Sequence, residues 1–101
     1  MVDYGTNLDL TEDIRSLVEP LVSNPEVLVI QRMDKEEDLN KKEQNYLILC
    51  KKEDLGKLIG RHGVISDSVR TLLNVSTKNM RKKVHLRFES IEDYEKQNQN
   101  A

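Results

Sequence analysis

Apolar residues recur along this chain with two periods, and the switches between them divide it into elements. Leu10, Ile14, Leu17, Val18, Leu21 and Val22 follow helical spacing, with Asp9 or Thr11 placed to cap the start. Pro20 falls inside that pattern and removes a backbone donor, so a kink or break is expected near Leu17, and Asn24-Pro25 ends the element. Val27 to Ile30 is β-branched and reads as a strand reaching about Met33. Tyr46 to Cys50 is a second strand, with Tyr46, Ile48 and Cys50 on one face and Leu47 and Leu49 on the other. Two helical stretches follow, the first carrying Leu55, Leu58 and Ile59, the second Ile65, Val69, Leu72 and Leu73. Asn74 to Asn79 is rich in turn formers and ends the second of these. Val84, Leu86 and Phe88 then alternate toward the core in a third strand. The order helix, strand, strand, helix, loop, helix, strand predicts an α+β domain, a three-stranded sheet with helices packed on one face.

The two consecutive helices are joined at Gly60-Arg61-His62-Gly63. Asp54 reads as the N-cap of a helix beginning at Leu55. Gly60 permits the positive φ that ends a helix without a Cβ clash, and Gly63 lets the backbone come close to whatever rests on the loop. Such a loop aims backbone N–H groups at the start of the second helix, where the dipole favours an anion. Lys57, Arg61 and His62 add charge at its mouth, while Ile59, Val64 and Ile65 supply an apolar floor beside it. Phosphate next to an apolar floor suits an unpaired nucleotide.

Charge sharpens this picture. The net charge of −2 suits a nucleic-acid binder poorly until it is divided along the chain. Residues 1–50 hold 5 Lys/Arg against 11 Asp/Glu, residues 51–88 hold 10 against 3, and residues 89–101 hold 1 against 4. The basic third contains the glycine loop, which favours RNA over a merely solvated basic face. Arg81-Lys82-Lys83 belongs to the same third and reads first as a solvated run before a strand.

Ile59-Gly60-Arg61-His62-Gly63 resembles the I-G-x-x-G signature of KH domains, whose GxxG loop clamps about four nucleotides of a single strand. With Leu21 to Glu26 upstream, Glu53 to Gly60 in the middle and Val69-Arg70-Thr71 downstream, residues 8 to 90 look like the small bacterial single-KH proteins of the KhpA (YlqC) family. The resemblance implies a type II KH domain, α-β-β-α-α-β, over residues 9–90, between a flexible N-terminus of residues 1–8 and a polar tail of residues 91–101. That tail, from Glu92 on, reads as a short helical or frayed end. The resemblance also implies single-stranded RNA binding by an RNA chaperone or post-transcriptional regulator. Lys57, Ile59, Gly60, Arg61, His62, Gly63, Val64, Ile65 and Arg70 are its candidate RNA-binding residues. A homodimer, or a heterodimer with a larger KH-containing protein of the KhpB (Jag) type, is implied as well. Ser66 stands where many KH domains carry an aliphatic residue, three positions after the second loop glycine, which leaves open which residue floors the base pocket. The charged stretch from Asp34 to Asn45 is longer than that family leads one to expect and reads as a solvated connection, with strands extending into it as an exposed hairpin the alternative.

Other chemistries fit poorly. Gly56, Gly60 and Gly63 make neither a Walker A loop nor a dinucleotide fingerprint. Two histidines and one cysteine lack metal-ligand spacing, Cys50 reads as a buried reduced thiol, and His85 reads as exposed. No carboxylate is marked for acid–base work, so neither enzyme nor cofactor is expected. The first residues lack a basic n-region and an apolar h-region, and no apolar run approaches the ~20 residues of a membrane span, so a cytoplasmic protein is expected. Leu47, Leu49 and part of the Val27 to Ile30 run leave a competing reading, in which an open sheet face serves a dimer or a protein-interaction adaptor unless the connection, the N-terminal segment or the tail covers it.

Overall fold

A computed structural model describes residues 10–33, 43–76 and 83–99. Expectations for Asp9, for residues 1–8, for the connection at 34–42 and for Arg81 and Lys82 lie outside the described residues. The described elements are α1 (Thr11–Val18), β1 (Val29–Arg32), β2 (Glu43–Cys50), α2 (Lys52–Ile59), α3 (Val64–Ser76), β3 (Lys83–Ser90) and α4 (Ile91–Gln99). Short 3-10 turns cover Glu19–Leu21, Pro25–Val27 and Arg61–Gly63. The break at Pro20 is therefore real: α1 stops at Val18 and the chain tightens into a 3-10 turn with Pro20 inside it.

The sheet runs in the order β1-β2-β3. Its first pair is antiparallel, with Val29 opposite Leu49, and its second is parallel, with Tyr46 opposite Leu86. Tyr46, Ile48 and Cys50 of the central strand meet Ile30, Val84 and Leu86 on one face, where Leu10, Ile14 and Val18 of the first helical segment, Leu58 of α2 and Val69 and Leu73 of α3 close the core. The expected order of elements and the layering of α1 to α3 on one face are the observed ones.

Four particulars differ from the sequence reading. Leu10, not Thr11, occupies the N-cap position of α1, and its backbone N–H donates to the Tyr46 hydroxyl at 2.9 Å. The second helix starts earlier than Leu55, at Lys52, because Glu92 accepts from the Lys52 N–H at 3.2 Å and supplies the cap from another element. Asp54 thus lies inside α2, and its buried carboxylate holds a different segment: it accepts from Ser23 N at 3.1 Å, Asn24 N at 3.0 Å and Asn24 Nδ2 at 3.1 Å. Leu72 is 57% exposed, since the adjacent pair Leu72-Leu73 cannot both face inward and Leu73 takes the core position. As expected, α3 ends within the Asn74 to Asn79 stretch, at Ser76.

The C-terminal segment forms α4 on the other face of the sheet. Ser90 accepts from Asp93 N at 3.1 Å to start it, and Gln97 donates to Glu89 at 3.2 Å along its length. Ile91 and Tyr94 line hollows with Leu47 and Leu49, which are left only 2% and 6% exposed. The apolar patch expected on an open sheet is covered by the protein's own last helix. Among the described residues no helix is long and apolar enough to cross a membrane.

Candidate nucleic-acid interface

The glycine loop is built by backbone geometry that ordinary residues resist. Gly60 takes φ 75° and ψ 174°, a conformation open to glycine almost alone. Its N–H closes α2 on Gly56 O at 2.8 Å, and its carbonyl accepts from Gly63 N at 3.2 Å. A Cβ at position 60 would overlap Ile65 Cγ1, with Ile65 Cβ and N at 3.0 Å, so Ile65 sits directly beneath Gly60. His62 at φ 56° and Gly63 at φ 77° turn the chain into α3. Val64 N donates to Arg61 O and the Ser66 hydroxyl to Gly63 O at 3.1 Å, so the turn is tied into the start of a 13-residue helix. The positive end of that helix dipole faces the loop.

The two side chains at the tip are free to act on a ligand. Arg61 and His62 are exposed, and among the described residues neither makes a side-chain hydrogen bond or ion pair. Ile59 and Ile65 are half-buried beside them, while Val64 is exposed. Residues 59 to 65 are therefore brought together at one end of α2 and α3.

Lys57 and Arg70 are placed differently. The Lys57 ammonium contacts Ser23 Oγ and lies 3.4 Å from Asp54 Oδ1, so its charge is shared with a buried carboxylate. Burial acts to raise the Asp54 pKa, but the Ser23 and Asn24 donors together with Lys57 outweigh it and hold the carboxyl down at about 2. Arg70 reaches across to β3, donating to Leu86 O at 3.0 Å and to Asp67 Oδ1 at 3.1 Å, with its guanidinium 5.4 Å from the centre of the Phe88 ring. Phe88 packs against the core as expected, but it is only half-buried and lies under Arg70, a contact the sequence reading did not foresee. Asn74 was missed as well, and its amide pairs with both backbone groups of Val84, at 2.8 and 3.2 Å. The recurrence of polar Ser66, Arg70 and Asn74 four residues apart was the signal that would have found this stripe.

Away from the loop, the Cys50 thiol is buried and its pKa is pushed up to about 11 by burial, with Asp54 and Glu92 adding to it. His85 keeps an exposed side chain, 42% accessible, 3.1 Å from Glu43 Oε1. Among the described residues no cluster of three potential metal ligands occurs.

A family model described as KhpA/KhpB, KH domain, matches residues 11–88. The chain is 38% identical over 84 residues to the RNA-binding protein KhpA of Listeria monocytogenes, covering 82% of this chain and 100% of that one. The Listeria innocua protein of the same name matches equally. The RNA-binding protein KhpA of Oceanobacillus iheyensis is 32% identical over 73 residues, 72% of this chain and 91% of that one. No solved structure matches the chain significantly. With a glycine loop between two helices, an α-β-β-α-α-β core and a match that spans it from α1 to β3, the chain belongs to the KhpA/KhpB family of KH domains.

Proposed function

We propose that this protein binds single-stranded RNA by gripping the sugar–phosphate backbone at Gly60–Gly63. The observation that carries this reading is the loop itself, with three positive-φ residues leading into α3 and, at its tip, the exposed side chains of Arg61 and His62, which have no partner among the described residues. The Gly60, Gly63 and Val64 N–H groups bond within the loop, so the Arg61 and His62 N–H groups are those that face the phosphate; the Arg61 guanidinium adds charge, the His62 ring a polar contact, and Ile59, Val64 and Ile65 form the apolar floor for the base. Lys57 contributes to the local potential at a distance, since its ammonium is held at Asp54. The protein works by binding, as an RNA chaperone or post-transcriptional regulator in the bacterial cytoplasm, without catalysis. Its relatives are named RNA-binding proteins, which supports the same substrate.

The protein partner is a second copy or a larger KH-containing protein of the KhpB (Jag) type. Exposed Leu72 and Val75 on the solvent side of α3 favour that helix as the contact. The competing adaptor reading began from an open sheet face and is weakened because α4 occupies it.

The test is a titration of fluorescent single-stranded RNA into the wild type and into Arg61→Asp/His62→Asp, both shown by circular dichroism to be folded. Loss of binding in the folded variant is expected. In the wild type, each phosphate neutralised contributes roughly −0.7 to the slope of log affinity against log salt, so a few contacts give a slope of about −2. Equal binding by both proteins, or none by either, overturns the clamp.

A further inference from the structure

Ser66, Arg70 and Asn74 recur every four residues, so they form one stripe along α3. That stripe faces the side of β3 that has no neighbouring strand among the described residues. Ser66 begins it at the glycine loop by donating to Gly63 O. Asn74 closes its far end by standing in for the missing strand, accepting from Val84 N and donating to Val84 O. Arg70 lies between them.

The guanidinium of Arg70 is fixed at three points: Leu86 O, Asp67 Oδ1 and the Phe88 ring. A guanidinium has five N–H donors and no acceptor, and these contacts use two of them. The side chain nonetheless remains 37% exposed, and among the described residues nothing else accepts from it, so donors in a preset plane are left to a ligand. Two further features say what kind. The ion pair with Asp67 offsets the charge, which suits a neutral base edge better than a phosphate. Arg70 also lies seven residues beyond Gly63, about 10 Å along the helix axis, a separation that a strand held at the loop can span within a nucleotide or two.

We infer that Arg70 is the specificity-determining residue of the groove and selects a base that presents two adjacent acceptors. Guanine does so through O6 and N7, and cytosine in a single strand through N3 and O2. Adenine sets a donor beside N7, and uracil sets its N3–H between two carbonyls. The selection rests on the reading of Gly60–Gly63 as the backbone clamp, and it adds a base to what the clamp alone would hold without preference.

Uridine hexamers carrying one guanosine, cytidine or adenosine at each position in turn test this by fluorescence anisotropy at fixed salt. The wild type is expected to bind the best guanosine or cytidine hexamer roughly tenfold more tightly than all-uridine, the discrimination of one bidentate contact. Replacing guanosine by 7-deazaguanosine separates the two bases, because it removes the N7 acceptor and only a guanine contact feels it. Arg70→Lys keeps the charge and loses the fork, so its preference should collapse to about twofold or less while all-uridine binding persists. If Arg70→Lys fails to fold, the Arg70 Nε–H resonance of the wild type replaces it: a shift induced by the preferred hexamer and not by all-uridine supports the contact, and an unmoved resonance overturns it. Equal wild-type affinity for all hexamers, with binding still lost in Arg61→Asp/His62→Asp, overturns the base contact and leaves the clamp standing. A preference unchanged in Arg70→Lys also overturns it, and absence of binding by the wild type overturns both.

Discussion

Gly60→Ala is the substitution with the largest consequence for its size. Position 60 combines φ 75° with ψ 174°, a region that costs a residue with a side chain about 1–3 kcal/mol. The new methyl would also overlap Ile65 Cγ1 and press on Ile65 Cβ and N at 3.0 Å, so both side chain and backbone at the start of α3 must shift. Overpacking of that kind adds about 1–3 kcal/mol. The total, about 2–6 kcal/mol, is comparable with the whole stability of a domain this size, about 5–15 kcal/mol.

The other glycines supply internal controls for that argument. Gly63 has φ 77°, but a Cβ there would meet only Asp67 Oδ2 and Ser66 Oγ at 3.8 Å, ordinary contact, so Gly63→Ala should cost only the left-handed backbone term, about 1–2 kcal/mol. Gly56 lies inside α2 with nothing within 4 Å of an added Cβ, and Gly56→Ala should stabilise by about 0.5–1 kcal/mol. Urea unfolding of the three variants, followed by circular dichroism, reads the order directly. Gly60→Ala costing no more than Gly63→Ala would refute the placement of Ile65 under the loop.

Acid should expose the Asp54 node. Its folded pKa of about 2 lies below the ordinary 3.8, so its contribution to stability is full above about 3.8 and is lost as pH falls toward 2. The wild type should therefore be more stable than Asp54→Asn at pH 7 by urea unfolding, and the gap should narrow across that window; a gap independent of pH would count against the node. The Cys50 thiol, raised to about 11, should resist a disulfide reagent at pH 8 until the protein is unfolded in denaturant, and prompt labelling of the native state would contradict its burial. Leu72→Asp should leave a folded monomer if α3 pairs with a second copy, as read by sedimentation against the wild type. A wild type that is monomeric at high concentration removes the homodimer.

The strands and the core were legible because period-2 and period-3.6 patterns leave little choice of face. Tyr46, Ile48 and Cys50, or Val84 and Leu86, can only alternate as they do. The loop was legible because two glycines three apart, between helical runs, have few other uses. Leu72 was not: Leu72 and Leu73 differ by 100° around a helix, and either could have been the buried one. Asp54 was misplaced because a carboxylate at the start of a helix looks the same whether it caps its own helix or binds residues thirty positions earlier. The helix α4 was nearly silent, carrying only Ile91 and Tyr94 as apolar contacts, and its one clear signal was Ser90 three residues before Asp93. Arg70 was found as a candidate without its role, because the strand edge and the aromatic ring that hold it arrive from β3.

Where α4 sits decides how the remaining surface is divided. It follows the region matched to the family, residues 11–88, and it closes the sheet face opposite α1 to α3. Under the proposed function, ligand and partner are thereby left to α3, whose three faces are already distinct. Ile65, Val69 and Leu73 turn inward, with Ile65 only half-buried beneath the loop. Ser66, Arg70 and Asn74 line the edge of β3. Val64, Leu72 and Val75 face solvent. Because a helix turns 100° per residue, neighbouring positions on α3 point to different surroundings, and a change at Leu72 tests the proposed protein contact without disturbing the stripe that begins at Ser66. The same geometry makes the glycine loop the common point of all three faces: it sets where α3 starts, so the rotation of every face about the helix axis is fixed by the two positive-φ glycines that precede it.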